Sequence, residues 1–176
     1  MAMAFERFQA LFYVTDRNQA FAFALDTAMQ LMPSQGGAIL LYDYHARDLC
    51  SAVIRGPGGA QYPAFRTGIG ESVAGFCATQ GLPLALTQAD HDNRFASALG
   101  SHMGLPVTSL TGAPIQYQGR LYGVMELVNR VSGAGYNTEE LNTLAYIGRS
   151  LAERLSTTLS AQMPAIQSPA EPETQS

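Results

Sequence analysis

Apolar side chains recur at helical spacing at both ends of the chain and at strand spacing between them. Four aromatic and aliphatic residues predict one apolar face of a helix over residues 3–14: Phe5, Phe8, Leu11 and Phe12. Asp16 precedes Gln19 by the capping-box spacing and predicts the start of a second helix. Pro33 and the following glycines predict its end, and its apolar positions are Phe21, Leu25, Ala28, Met29 and Met32.

The middle of the chain predicts short strands separated by turns. The predicted strands are 38–44, 49–55, 61–66, 82–86, 109–116 and 121–129. The first two and the last two form predicted antiparallel hairpins, the latter through the glycine-containing link 117–120. Pro63 marks the weakly alternating third strand as an edge strand.

Helices are also predicted between and after these strands. Residues 71–80 predict a short helix that ends at Gly81, and Asp90 or Asp92 can cap a helix over residues 93–103. Asn137 and Glu140 form a second predicted capping box. A long helix follows, and its narrow apolar seam suits a coiled-coil-like contact: Leu141, Leu144, Gly148, Leu151 and Leu155.

This order of elements predicts an α+β fold, because antiparallel hairpins are separated in sequence from the helices. The two N-terminal helices and the last helix should cover one sheet face, and the short helices the other. We expect a dimerising helix within residues 1–15 and one domain over residues 16–160. Residues 161–176 are rich in proline and polar side chains and are expected to be disordered.

Length and charge exclude several classes of protein. The 176 residues suit a single domain, and a net charge of −4 without a basic patch argues against nucleic acid as a partner. No apolar run suits a membrane span and no secretory signal is visible, so we expect a cytoplasmic protein. Cys50 and Cys77 lack metal-ligand spacing and are interpreted as reduced thiols.

Few residues suggest catalysis or metal binding. Gly68-Ile69-Gly70 resembles a dinucleotide fingerprint, but Val73 stands where its third glycine belongs. The three histidines include no pair at i, i+4 spacing, so no metal is predicted. Glu126 lies between apolar neighbours on a predicted central strand. It either faces inward, where a carboxylate needs a partner, or lies on a polar rim.

Taken together, four motifs resemble those of the GAF domain family between about Asp16 and Leu155. The first is a glycine turn followed by a small-residue helix, which runs from Gly68–Gly75 on to Leu84. The second is the acidic loop after it, Asp90–Phe95. The third is the paired late strands, 109–115 and 119–129, and the fourth is the closing amphipathic helix.

This resemblance implies a six-stranded antiparallel sheet with helices on one face and a ligand pocket, roofed by the short helices, on the other. It also implies homodimers formed through the terminal helices. The expected pocket residues are Phe65, Ile69, Phe76, Asp90, Phe95, Met103, Ser109 and Glu126. The expected dimer residues are Phe5, Phe8, Phe12, Leu144, Leu151 and Leu155.

Subfamily motifs of GAF domains match only in part. Members that bind cyclic nucleotides carry a motif that Asn129-Arg130, Tyr136 and Glu140 resemble, although Leu141 departs from it. In the family this motif supports the fold through a salt bridge, which Arg130 and Glu140 would supply here. A bilin-binding cysteine motif is missing, and two separated cysteines do not match the cysteine set of free-methionine-sulfoxide reductases.

The sequence therefore favours a non-catalytic sensory domain that binds a small cytosolic molecule, forms a homodimer and acts on a downstream protein. No cofactor is predicted beyond an unknown small-molecule ligand. One alternative is a dimerising scaffold with a degenerate pocket, another is cyclic-nucleotide binding, and an enzyme is a third. No output domain is visible, so the chain would act through a partner or belong to a longer product.

Overall fold

A computed structural model describes residues 16–60, 62–70, 72–87 and 98–162. The helices are α1 (Arg17–Leu31), α2 (Val73–Gln80), α3 (Ala98–His102) and α4 (Thr138–Gln162). The strands are β1 (Ser34–Asp43), β2 (Asp48–Arg55), β3 (Arg66–Gly68), β4 (Leu84–Thr87), β5 (Ser109–Tyr117) and β6 (Arg120–Arg130). The N-terminal helix predicted over residues 3–14 lies outside the described residues, as do Asp90, Phe95 and residues 163–176.

The six strands form one antiparallel sheet in the order β3-β2-β1-β6-β5-β4. The central strands β1 and β6 pair along most of their length. The β5–β6 hairpin turns at Gln118 and Gly119, which both have positive φ angles, as the two-residue hairpin turn requires. This arrangement confirms the predicted α+β class and the six-stranded sheet.

One face of the sheet is covered by α1 and α4. Phe21 and Leu25 of α1 are buried there together with Leu144, Leu151 and Leu155 of α4. The assignment of these three leucines to a dimer interface is therefore wrong, because their side chains are already enclosed within one chain. The heptad-like spacing of α4 reflects its packing on β5 and α1.

The opposite face is covered by α2 and α3, as predicted. Its buried cluster includes Val73 and Cys77 of α2 and Leu99 of α3, which pack over Val124 and Leu110 of the sheet. Within the ranges that the structure describes, no helix is long and apolar enough to cross a membrane.

Two predicted boundaries are corrected. The third strand is Arg66–Gly68, whereas 61–66 was predicted, and residues 62–65 form no strand. Strand β1 begins at Ser34 and runs through the glycine pair that was interpreted as a breaker. Glycine suits both positions because neighbouring side chains leave no room for a larger residue: a methyl group on Gly37 would lie 2.8 Å from the Leu127 side chain.

Candidate ligand-binding face of the sheet

Glu126 lies at the centre of the face that α2 and α3 cover. Its neighbours at alternate positions, Val124 and Val128, belong to the buried cluster on this face, so the Glu126 side chain faces the same way. Glu126 is only 2% exposed. It is paired with Ala38 on β1 and with Gly112 on β5, so the residues beside it are small.

Helix α2 lies directly over this part of the sheet. Its N-terminus is capped by Ser72, whose hydroxyl accepts a hydrogen bond from the Gly75 amide at 2.9 Å, and its C-terminus by Gly81 in the left-handed conformation. Gly112 permits the close approach, because a methyl group there would lie 2.9 Å from Val73 and 3.1 Å from the Cys77 sulfur. The predicted small-residue helix and its glycine cap are thus confirmed.

The Cys77 thiol is held in its neutral form. Burial raises its pKa to about 12, and the nearby charge of Glu126 acts in the same direction. Cys50 is on the other side of the sheet, because it is paired with Leu41, which packs against the α1 and α4 cluster. The two thiols therefore cannot act on one substrate atom within a single site.

One rim of this face is formed by aromatic side chains and α3. The His102 ring stacks on Phe65 with ring centroids 4.5 Å apart and an interplanar angle of 17°. The His102 Nε2 atom donates a hydrogen bond to the Pro63 carbonyl oxygen at 2.8 Å. These two contacts connect α3 to the segment before β3. Met103 is buried against Gly36.

The ends of β5 and β6 are fixed by Asn129. Its Oδ1 atom accepts a hydrogen bond from the Thr108 amide at 2.7 Å, and its Nδ2 atom donates to the Pro106 carbonyl at 2.7 Å and to Gln35. The Ser109 hydroxyl accepts from the Arg130 amide at 2.9 Å. The Ser109 side chain therefore connects the start of β5 to the backbone at the end of β6.

The predicted support from Arg130 is confirmed. Its Nε atom lies 2.7 Å from a Glu140 carboxylate oxygen. The other Glu140 oxygen accepts from the Asn137 amide at 3.0 Å, and the Asn137 side chain accepts from the Glu140 amide at 2.9 Å. This capping box starts α4 and joins it to the end of β6, so the motif stabilises the fold here.

A family model described as GAF domain matches residues 16–155. The chain belongs to the GAF domain family. GAF domains are a family of signalling and sensory domains. No curated protein sequence matches the chain.

Solved structures with similar folds include GAF domains and an enzyme. The GAF domain of a phosphoenolpyruvate-protein phosphotransferase from Coxiella burnetii is 16% identical, with 91% of this chain and 94% of that chain covered and a TM-score of 0.75. Free methionine-R-sulfoxide reductase from Neisseria meningitidis, in complex with its substrate, is 17% identical, with 91% and 92% covered and a TM-score of 0.69. The A. aeolicus nlh2 GAF domain in an inactive state is 19% identical, with 88% and 93% covered and a TM-score of 0.69.

The GAF fold brings most of the predicted pocket residues to one face. Met103 and Glu126 are buried on this face, and Phe65, Ile69 and Phe76 are partly buried against the same cluster. Ser109 is also buried, but it precedes Leu110 of this cluster on β5, so its side chain faces the α1 and α4 side and its assignment to the pocket is wrong. Three cavities are lined by described residues, and none of these six residues lines any of the three. Among the described residues, no group of three or more acidic, histidine or cysteine side chains could hold a metal ion.

Two site features were not predicted from the sequence. The stacking of His102 on Phe65 joins residues that the sequence assigned to a helix and to a strand, and no spacing rule connects them. The contribution of Gly112 had a weak signal, since a glycine inside a strand often marks a close approach of another backbone or helix.

Proposed function

We propose that this GAF domain is a non-catalytic sensory module that binds a small cytosolic molecule on the face roofed by α2 and α3. The observation that carries the proposal is Glu126, a carboxylate that is 2% exposed within an otherwise apolar cluster. Removing a carboxylate from water is costly unless charges or hydrogen-bond donors compensate it. Buried groups of this kind are concentrated at functional sites.

The chemistry of Glu126 defines the ligand group that it would recognise. An ionised carboxylate only accepts hydrogen bonds, so the ligand atom that faces it should carry an N–H group or a positive charge. Glu126 has an interaction partner within the chain, and the ligand would share or replace that partner. Phe65 and Phe76 offer partly buried aromatic surface for the apolar part of the ligand.

The state of the cysteines supports a non-catalytic function. Sulfoxide reduction needs a thiolate and a second thiol close to it. The pKa of Cys77 is raised to about 12, and Cys50 lies on the opposite sheet face. The likeness to a methionine sulfoxide reductase is therefore interpreted as a likeness of fold.

Binding would be transmitted through the packing of α2 and α3. A ligand that favours one arrangement of these helices shifts the population toward it, and the change reaches the terminal helices. We propose that the protein acts as a homodimer through its terminal segments and regulates a downstream protein partner.

The second candidate function is a dimerising scaffold without a ligand. It is favoured by the filling of this face, where Met103 is buried against Gly36 and the Phe65 ring is stacked on His102. Binding of cyclic nucleotides has less support, because the motif of the members that bind them matches only in part and Leu141 departs from it.

The test is native mass spectrometry of the freshly purified full chain, followed by thermal denaturation with defined compounds. The panel contains free amino acids, polyamines, cyclic AMP and cyclic GMP, with the corresponding amine-free carboxylic acids as a matched set. A ligand at a hundredfold excess over its Kd should raise the Tm by about 5 °C or more. We expect this shift for amine-bearing compounds and not for the amine-free set.

Glu126→Gln tests the site itself, because it keeps the shape of the side chain and removes its charge. We expect the Tm shift to disappear in this variant and to persist in Glu139→Gln, which alters an exposed glutamate on α4. Equal shifts in both variants would place binding elsewhere. If no mass is retained and no compound raises the Tm, the scaffold function is favoured over the sensory one.

A further inference from the structure

A groove of about 550 Å³ lies where β1 ends and β6 begins, mostly on the side of the sheet that α1 and α4 cover. We call it the tyrosine groove, after Tyr42, Tyr44 and Tyr122 in its wall. The start of α1, including Asp16 and Arg17, forms one side, and Leu155 and Thr158 of α4 form another. Arg120 completes it. The proposed sensory function does not use this groove.

The tyrosine rings are fixed in place by contacts with their neighbours. Tyr42 and Tyr44 meet edge to face, with ring centroids 4.8 Å apart and planes at 83°. The Tyr44 hydroxyl donates a hydrogen bond to the Leu121 carbonyl at 2.8 Å, although 56% of the residue is exposed. The Arg120 guanidinium lies 5.1 Å from the centre of the Tyr122 ring. The groove thus presents ordered aromatic surface beside a positive charge.

The chain that follows α4 has the composition that such a groove recognises. Residues 163–176 contain Pro164, Pro169 and Pro172 and the carboxylates of Glu171 and Glu173, without lysine or arginine. Pro169 and Pro172 have the spacing of a polyproline II ligand, which presents successive prolines to aromatic grooves.

We propose that residues 163–176 dock in the tyrosine groove of their own chain. Pro169 and Pro172 would pack on the exposed Tyr44 ring and the partly exposed rings beside it, and the two glutamates would lie near Arg17 and Arg120. The charges complement each other: the groove carries two arginines and Asp16, and the segment carries two carboxylates.

The connection between groove and segment is short enough for this docking. Thr158 lines the groove, and α4 ends at Gln162, which is about 6 Å further along the helix. Residues 163–168 then provide about 19 Å of extended chain before Pro169. Pro164 would interrupt a continuing helix, which would allow the chain to turn back toward the groove.

Tethering compensates for the weak affinity of such a contact. A short flexible connection gives an effective concentration of about 1 mM, so a segment with a Kd near that value is docked in about half of the molecules. The extended polyproline conformation has no internal hydrogen bonds to form, which agrees with a composition that cannot fold alone.

Residues 3–14 precede Asp16, which lines the groove, but their composition matches the groove less well. Their stripe of Phe5, Phe8, Leu11 and Phe12 extends along about 18 Å of predicted helix and requires an apolar surface of that length. The rim of the groove is polar instead, with Asp16, Arg17, Asn18, Arg120 and Thr158.

The test is NMR of the full chain with ring-labelled tyrosine and a nitroxide spin label on Thr174→Cys, in a Cys50→Ser background. Docking should broaden the Tyr44 and Tyr122 ring signals, with at least about a twofold loss of intensity at half occupancy. Tyr136 is the internal control: it bonds Ser34 at the start of β1, about 33 Å of strand away from Tyr44.

Matched variants decide the mechanism. Pro169→Ala/Pro172→Ala should restore the two signals, whereas Gln167→Ala, in the connecting stretch, should leave the loss unchanged. Absence of a selective loss, or a loss that survives the double substitution, would overturn the proposal. Broadening seen only when a spin-labelled chain is mixed with a separate tyrosine-labelled chain would identify a second copy as the occupant. Selective broadening from a label on Met3→Cys alone would identify residues 3–14.

Discussion

At the scale of single residues, Cys77 reports the electrostatics of the candidate site. Its thiol is fully buried under α2, and burial and the charge of Glu126 raise its pKa to about 12. The thiol of an unfolded chain has a pKa of about 8.5. The folded state therefore keeps a proton that the unfolded state loses above that pH, so alkaline conditions favour unfolding.

We predict that Cys77 makes the free energy of unfolding fall as the pH rises from about 8.5 toward 12, by up to about 1.4 kcal/mol per pH unit. Urea denaturation of the unmodified chain and of Cys77→Ala between pH 7 and pH 10.5 measures this contribution. The alanine variant should start lower, because a buried side chain is truncated, and the two curves should converge as the pH increases. Tyr136, whose pKa is also raised by burial, is present in both chains and cancels. Parallel curves would contradict the prediction.

The sheet face that the Glu126 side chain takes could not be predicted, although the sequence identified Glu126 as the polar residue between apolar neighbours on its strand. Val124, Met125, Leu127 and Val128 are all buried, because helices cover both faces of the sheet. With apolar residues at every position, alternation gives no sign of which face a side chain takes. The direction follows only from the packing of α2.

At the scale of elements, the position of α4 depends on one glycine. A methyl group on Gly148 would lie 2.6 Å from the Pro114 carbonyl oxygen, which belongs to the backbone of β5 and cannot rotate away. Gly148 thus sets how closely the helix approaches the sheet.

We predict that Gly148→Ala destabilises the protein by about 1–3 kcal/mol, because the helix must shift away from the strand. Helix propensity alone predicts the opposite, a gain of up to about 1 kcal/mol. Thermal or urea unfolding decides between the two. Asn142→Ala, at an exposed position of the same helix, is the control and should leave stability unchanged or slightly increased. A stabilised Gly148→Ala variant would show that α4 packs loosely on β5 at this position.

The helices and central strands were predictable because their signals are local. Asp16, Gly81 and the Asn137–Glu140 box cap helices as expected. Strand β3 was misplaced because its position depends on distant residues: the Arg66 guanidinium bonds Asp43 and Asp48 across the sheet edge and, with backbone amides, holds the pKa of Asp43 at about 2. The apolar Phe65, which suggested a strand, instead stacks on His102.

At the scale of the whole molecule, the sheet separates the core cluster under α1 and α4 from the candidate site under α2 and α3. The seam of α4 that suggested a second chain packs inside the protomer, so the proposed dimer would use other surfaces. The described outward positions of α4 include Asn142, Tyr146 and Arg149, which make a largely polar surface. The apolar stripe of residues 3–14 is therefore the part of the terminal segments best suited to a dimer contact.

We predict that Phe5→Ser/Phe8→Ser/Phe12→Ser converts a dimer of twice 18.8 kDa into a folded monomer in sedimentation equilibrium. The stripe would lose its apolar surface, whereas the core over residues 16–155 would keep its packing and its Tm. Leu151→Ala is the contrasting variant: it truncates a fully buried side chain and should lower the free energy of unfolding by about 2–5 kcal/mol. Below its unfolding transition it should still sediment as a dimer. A triple variant that stays dimeric, or a Leu151→Ala chain that becomes a stable monomer, would return the interface to α4.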